Sequence, residues 1–156
     1  VVEPHPHPAA IALAASTPNV RYVPELTGIN DLLIATDVFE HVPDPIGLAA
    51  ATADHLPVGG LYLMANCFVP VIQCHLPQLF HLEIGWVEAM RAMGLATRQR
   101  VQYGRAYERR GDFDLAAARS VALVAQAVEP WVRRLPNGRS RVGRALVHAL
   151  SAVAPR

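Results

Sequence analysis

The chain has 156 residues, 52% of them hydrophobic, which suits the core of one ordinary domain. Asp54, His55 and Glu83 interrupt the most apolar region too often for a membrane span, and two cysteines are too few for a disulfide scaffold, so we expect a soluble, cytoplasmic protein. Residues 1–90 contain nine acidic residues and one arginine (net −8), whereas residues 91–156 contain thirteen arginines and four acidic residues (net +9).

This uneven charge has two interpretations. The two parts neutralise each other across the fold, or the basic C-terminal third meets an anionic substrate or partner. The first interpretation requires no ligand and is preferred. Because every basic residue is arginine, the arginine content alone is not taken as a sign of phosphate recognition.

Strand and helix patterns alternate over the first hundred residues, which predicts an α/β fold with parallel strands. Residues 1–3 resemble the end of a strand, so the chain is expected to be a piece of a longer protein. Residues 7–17 form an alanine-rich helical pattern with Pro8 in the first turn, and residues 19–26 are predicted to be a second strand.

The central part of the chain has the clearest pattern. The apolar run 31–39, "DLLIATDVF", predicts a strand buried on both faces. Residues 45–56 predict a helix that begins at Pro45 and is capped by Asp44. A "PVGG" turn then leads into another apolar strand at residues 61–69.

Residues 83–95 predict a helix that ends at Gly94, with one apolar face formed by Ile84, Val87, Met90 and Met93. Residues 96–111 alternate as an antiparallel hairpin turning near Gly104, and its last strand is expected at the edge of the sheet.

The pattern changes at Asp112. Residues 112–135 and 140–154 have helical spacing of apolar residues, and Pro130 is expected to kink the first of these helices. We therefore divide the chain into a sheet region, 1–111, and a C-terminal helical appendage, 112–156. The appendage is expected to pack on the sheet or on a partner, including a second copy of the chain in a homodimer.

The stretch "ATDVFEHVPDP" places Asp37, Glu40 and His41 where a predicted strand ends. In open α/β sheets ligands bind beyond the carboxyl ends of the strands, because helix N-termini point into the crevice there. A functional site is therefore expected at this position.

The segment "DLLIATDVFEHVPDP…LPVGGLYLMANC" resembles the middle of a class I S-adenosylmethionine-dependent methyltransferase, of the type 11/12 kind. The resemblance extends from Val1 to about Arg110 and implies a Rossmann-like sheet. The family's first strand and glycine-rich cofactor loop would precede Val1, so the sheet is expected to be incomplete. An unpaired strand edge is costly, and this chain alone is expected to bind the cofactor weakly.

The resemblance also implies roles for individual residues. It assigns cofactor binding to Glu3, Pro4, Ala35, Thr36 and Asp37. Glu40 and His41 would face the acceptor as the catalytic residues, with His41 as a general base, since a pKa near 6.5 leaves it largely neutral at pH 7. The alternative for His41 is a hydrogen bond that only caps the following loop.

Two metal interpretations remain open. Some relatives bind a divalent ion with an E-x-x-E-H arrangement, which here corresponds to Asp37, Glu40 and His41, a ligand set suited to Mg²⁺ or Zn²⁺. A second group contains Cys67, Cys74, His75 and His81. Its spacing matches no usual structural zinc pattern, so a structural loop is preferred, and the resemblance suggests that His75, Phe80 and His81 shape the acceptor pocket.

The expected function is methyl transfer from S-adenosylmethionine to a small-molecule or sugar-like acceptor, at oxygen, without a membrane or nucleic-acid partner. One alternative is a nucleic-acid methyltransferase that uses the arginines of the C-terminal helices, Arg133, Arg134, Arg139, Arg141 and Arg144. The other is a non-catalytic domain whose helices mediate association.

Overall fold

The computed structural model describes residues 1–3, 5–135 and 139–153. Its centre is a four-stranded sheet in the order β1-β2-β4-β3, made of β1 (Leu32–Thr36), β2 (Leu61–Ala65), β3 (Leu95–Val101) and β4 (Gly104–Arg109). Strands β1 and β2 are parallel, whereas β4 is antiparallel to both of its neighbours. The α/β class and the mixed sheet are therefore confirmed.

The first two helices begin as predicted. Helix α1 (Pro8–Ala15) has proline in its first turn, and the His7 side chain accepts a hydrogen bond from Ala9 N–H. Helix α2 (Pro45–Ala53) is capped by Asp44, whose carboxylate accepts the Gly47 N–H at 2.9 Å. Proline in the first turn loses no helical hydrogen bond, so local chemistry alone fixes both starts.

Helix α3 (Leu82–Met93) ends at Gly94, which has the left-handed φ of 110° that favours glycine. The predicted hairpin follows as β3 and β4. Its last strand is not at the edge, however, because β4 also pairs with β2, which leaves β3 as the edge strand. The expected position of the last strand was wrong, since pairing with β2 satisfies the backbone groups on both sides of β4.

Helices α4 (Leu115–Val132) and α5 (Arg139–Val153) pack on α3, so the C-terminal helices lie on the sheet region. Two glycines allow α4 and α5 to approach α3 closely. A Cβ on Gly85 would lie 2.5 Å from Ala125 Cβ of α4, and one on Gly143 would lie 2.7 Å from Ile84 Cγ2. Side chains of α4 and α5 join the hydrophobic core of the sheet region.

Pro130 lies inside α4. On the outer surface of α5, Val142, Leu146 and Leu150 are exposed, and association through these helices stays a prediction. None of the helices in the described ranges is both long and apolar enough to cross a membrane.

The two N-terminal strands predicted at residues 1–3 and 19–26 are not present as strands. A single parallel bridge joins Val2 to Val23, and Glu3 N–H donates to Val23 O at 3.0 Å. All the hydrogen bonds that the structure describes for residues 1–26 stay within that segment. The prediction was wrong because, within the described ranges, no further strand lies beside them to extend the ladder.

The sheet is covered on one face only. Tyr62, Met64 and Tyr107 point into the core beneath the helices. On the opposite face Leu32 and Ile34 of β1 are 52% and 62% exposed. Among the described residues, strand β1 pairs with β2 alone, so its other edge has no strand beside it. The prediction that residues 31–39 are buried on both faces was therefore wrong.

Candidate functional site

The candidate site lies where the two parallel strands end together. Thr36 of β1 is paired with Ala65 of β2. The next residue, Asp37, has a left-handed φ of 54°, and its N–H donates to Ala65 O at 2.8 Å. Aspartate adopts this conformation more readily than most residues. The chain therefore turns sharply at the sheet's carboxyl edge, where the position of Asp37, Glu40 and His41 after a predicted strand indicated a site.

A short 3₁₀ helix, Phe39–His41, follows this turn and is anchored by a buried aromatic side chain. Phe39 is fully buried, and its ring centroid lies 5.0 Å from that of Trp86. Phe39 packs the 3₁₀ helix against the core, and the neighbouring Glu40 is buried with it, at 1% exposure.

Glu40 joins this 3₁₀ helix to the loop that follows β2. Its Oε1 accepts the Cys67 N–H at 2.7 Å, and its backbone carbonyl accepts the Leu76 N–H at 3.1 Å. The second carboxylate oxygen, Oε2, is buried and has no hydrogen-bond partner among the described residues. An unsatisfied buried oxygen is costly, by about 1–3 kcal/mol and more when charged. A positively charged ligand would satisfy it.

Two imidazoles lie beside this carboxylate, with ring centroids 5.0 Å apart. Nδ1 of His41 lies 3.1 Å from Cys74 O, and Nδ1 of His75, a residue only 5% exposed, lies 2.7 Å from Val69 O. A carbonyl oxygen only accepts hydrogen bonds, so each Nδ1 is the donor, and in a neutral imidazole this arrangement leaves the lone pair on Nε2. Histidines that bind metals are commonly oriented in this way.

Glu40, His41 and His75 each offer one ligand atom, and these atoms lie within 4.8 Å of one another. It is the only group of this kind found in the described part of the chain. One carboxylate and two imidazoles make a set that Zn²⁺ and similar divalent ions accept, with positions left for water or substrate. We call this group the Glu40 cluster.

Asp37, which the sequence grouped with Glu40 and His41, is not a member of the cluster. Its Oδ2 accepts a hydrogen bond from the Tyr103 hydroxyl at 3.0 Å instead. This bond, more than any other effect, raises the pKa of Tyr103 above its ordinary value. Asp37 therefore links the end of β1 to the turn of the β3–β4 hairpin.

The other predicted cofactor residues lie in different surroundings. Thr36 is exposed at the end of β1, whereas the Ala35 side chain packs in the core. Glu3 is exposed, and its carboxylate accepts the His5 N–H at 2.9 Å. Pro4 lies outside the described residues. The cofactor roles of these residues stay predictions.

The structure does not bring the second predicted metal group, Cys67, Cys74, His75 and His81, together at one site. Cys67 and Cys74 are free thiols, and burial raises the pKa of Cys67. His75 belongs to the Glu40 cluster, while His81 lines a separate cavity beside Asp44 and Arg119. Burial lowers the pKa of His81. The structure thus joins His75 to Glu40 rather than to the cysteines.

A cavity of about 200 Å³ lies next to the site, between the ends of β2 and β4 and helices α3 and α5. Its lining includes Arg100, Arg105 and Arg144, with Trp86 and Tyr103. The sequence did not predict this arginine cavity. The available signal was the charge of +9 in residues 91–156, but spacing alone does not bring a hairpin and a distant helix together.

Comparison of the chain with protein-family models, curated proteins and solved structures gives no match. The function is therefore inferred from the geometry of the site. A buried carboxylate and two imidazoles with free Nε2 atoms can bind a cation, or accept a proton from a substrate hydroxyl.

Proposed function

We propose that the chain forms the acceptor side of an S-adenosylmethionine-dependent methyltransferase site, which methylates an oxygen atom of a small-molecule or sugar-like acceptor. The observation that carries this proposal is the convergence of the loops after β1 and β2 on Glu40. Oε1 of Glu40 accepts a hydrogen bond from the second loop, and Oε2 remains without a partner among the described residues. The polar groups thus collect at the carboxyl edge of parallel strands, where ligands bind in open α/β sheets.

The free edge of β1 and the uncovered face beside it support the same proposal. A doubly wound sheet has helices on both faces and strands on both sides of its centre. Here Leu32 and Ile34 are exposed, and β1 has one neighbour. These are the surfaces against which the rest of a complete methyltransferase domain would pack.

The residues at the end of β1 fit one side of a cofactor site. Thr36, the last residue of β1, and Asp37, which follows it, are both exposed, as a bound nucleoside requires. None of the three cavities that the structure describes is lined by Glu3, Thr36 or Asp37, so we expect weak cofactor binding by this chain alone. When bound, the cofactor supplies a methyl group on a sulfonium. The chain's own residues bind and orient the acceptor.

The Glu40 cluster fits a divalent cation. Oε2 of Glu40 lacks a partner among the described residues, and the Nδ1–H···O contacts of His41 and His75 leave both Nε2 atoms available. These three residues would hold the ion, which supplies Lewis-acid polarisation of an acceptor oxygen. A role for His41 as general base alone leaves the buried Oε2 unexplained, so we prefer the cation.

Cation binding is tested on the 156-residue chain by calorimetric titration with Zn²⁺ and by the visible spectrum of Co²⁺ added in its place. We expect one site per chain, lost in His75→Gln and retained in Asp37→Asn. His81→Gln is the matched control and should bind normally. The opposite pattern, with binding lost in Asp37→Asn and retained in His75→Gln, would contradict this cluster and favour the set Asp37, Glu40 and His41.

Methyl transfer is tested on the protein expressed from its full-length coding sequence, with S-adenosylmethionine labelled in the methyl group and a panel of small hydroxylated acceptors. We expect label in an oxygen-methylated product, and loss of this activity in Glu40→Gln. His81→Gln again serves as the control. Activity that is equal in Glu40→Gln and the parent protein would refute the proposed acceptor site.

A further inference from the structure

Three arginine side chains share the cavity beside the Glu40 cluster. Arg100 and Arg105 come from the β3–β4 hairpin and Arg144 from α5. None of the ion pairs described for the structure includes any of the three. Glu83 is the only acidic residue in the cavity lining, so positive charge exceeds negative charge there.

The fold holds these arginines together at a cost. Arg105 and Arg144 are half-buried. Burial lowers the pKa of Arg144, and the charges of Arg105 and Arg100 lower it further, while Glu83 acts in the opposite direction. Like charges that are partly removed from water destabilise the folded state unless an anion joins them.

Specific contacts fix the positions of both half-buried arginines. Arg105 is paired with Met64 of β2, on the face of the sheet that the helices cover. Arg144 follows Gly143, whose lack of a side chain lets α5 approach Ile84 of α3. The two arginines therefore extend from rigid elements rather than from a mobile loop.

We propose that the arginine cavity binds the oxyanion group, carboxylate or phosphate, of a small organic molecule. The planar guanidinium presents paired donors that match both kinds of oxyanion, and Arg is preferred over Lys wherever such groups are bound in pairs of hydrogen bonds. Trp86 and Tyr103 supply an aromatic wall, and a cavity of about 200 Å³ has room for an oxyanion and part of the molecule that carries it.

The cavity lies close in the chain to residues beside and within the Glu40 cluster. Tyr103, in its lining, donates a hydrogen bond to Asp37, three residues before Glu40. Phe68, also in its lining, directly follows Cys67, whose N–H binds Glu40. If the proposed function holds, the anionic molecule is the methyl acceptor, with its oxyanion in the cavity and its hydroxyl toward the Glu40 cluster.

Oxyanion binding is tested by titrating the 156-residue chain, freed of divalent ions with a chelating resin and without cofactor, first with inorganic phosphate and then with citrate. The readout is the fluorescence of Trp86, measured in a Trp131→Phe background, so that the cavity tryptophan is the only one of the chain's two that remains. Trp131 is 69% exposed, and its replacement should not disturb the fold.

We expect saturable binding of at least one of the two anions. Arg105→Gln and Arg144→Gln should each weaken it by about tenfold or more, since a charge-assisted hydrogen bond is lost. Arg141→Gln, which removes an exposed charge from the same helix, should weaken it by less than about threefold. Tighter binding of phosphate or of citrate identifies the chemical source of the oxyanion.

Absence of saturation by both anions would overturn the proposal, as would equal weakening in Arg141→Gln and Arg144→Gln, because that result indicates general attraction by the basic surface. If Arg144→Gln does not fold, Arg144→Lys replaces it and should still bind more weakly than the parent, because Lys lacks the paired donors. Intact anion binding in a protein without methyl transfer would contradict the methyltransferase proposal alone.

Discussion

Replacing Glu40 by glutamine should have opposite effects on stability with and without a metal ion. The glutamine has the same shape, and its oxygen can keep the hydrogen bond from Cys67 N–H, which is 2.7 Å long in the parent. The change removes the buried negative charge at Oε2, which has no partner among the described residues. The new amide nitrogen is neutral, and a buried neutral polar group without a partner costs less than a charged one.

In EDTA the variant should be more stable than the parent, by an amount on the order of the 1–3 kcal/mol that an unsatisfied buried polar group costs. With a cation at about 100 times its Kd, the parent should gain about 2.7 kcal/mol and the variant nothing. Since about 1 kcal/mol shifts Tm by ~2–4 °C for a chain of this size, the cation should raise the parent's Tm by about 5–11 °C.

The assay is thermal unfolding followed by circular dichroism at about pH 8, where histidines with ordinary pKa values are neutral. Zn²⁺ or EDTA is added in turn, and Glu25→Gln, at an exposed glutamate, is the control. A variant that is less stable in EDTA, together with a parent whose Tm does not respond to Zn²⁺, would refute the reasoning. Glu40 would then serve only to hold the loop after β2.

Three further results are expected. Ile34→Lys should leave the Tm within about 2 °C of the parent and raise the soluble yield, because Ile34 is 62% exposed on the free-edge strand; a large loss of Tm would show that this face is covered. Gly94→Ala should cost about 1–3 kcal/mol in chemical denaturation, because φ is 110° there and a Cβ would lie 2.9 Å from Asp112 O. Burial lowers the pKa of His81 in the folded chain, so the unfolded chain binds a proton at this imidazole more readily. The free energy of unfolding should therefore fall as the pH drops below about 6.5, and His81→Gln should make that fall smaller.

Features fixed by neighbouring residues were predictable from the sequence. Asp44 and Pro45 begin α2, Gly94 ends α3, and the hairpin turns at Gln102 and Tyr103, next to the predicted Gly104. Each of these depends on a cap or a turn within a few residues. The longer apolar runs also correctly predicted the helices and strands of the central region.

Features fixed by distant partners were not predictable. Residues 1–3 and 19–26 have the composition of strands, but a strand needs a neighbour, and only the Val2–Val23 bridge forms. The apolar run of β1 likewise suggested burial on both faces, although helices cover only one. An apolar sequence indicates that a surface can be buried, not that a partner is present to bury it.

The site was predictable in part for the same reason. Glu40 and His41 follow the end of β1 within a few residues, so the sequence alone predicted them as site residues. His75 joins them only because the loop after β2 folds back, through the hydrogen bond from Leu76 N–H to Glu40 O. The arginine cavity requires a hairpin and α5 to meet, which depends on the packing of Gly143 against Ile84.

Among the described residues, the arginines of the basic part form ion pairs with acids of both parts of the chain. Arg98 and Arg110 pair with Glu108, and Arg133 pairs with Glu129, whereas Arg91–Glu88 and Arg119–Asp44 join the two parts. Neutralisation between the two parts therefore stays a prediction. Among the described residues, Oε2 of Glu40 has no hydrogen-bond partner, and no ion pair includes Arg100, Arg105 or Arg144. A ligand that carries an anionic group at one end and a hydroxyl at the other is the simplest molecule to satisfy the arginine cavity and the Glu40 cluster together.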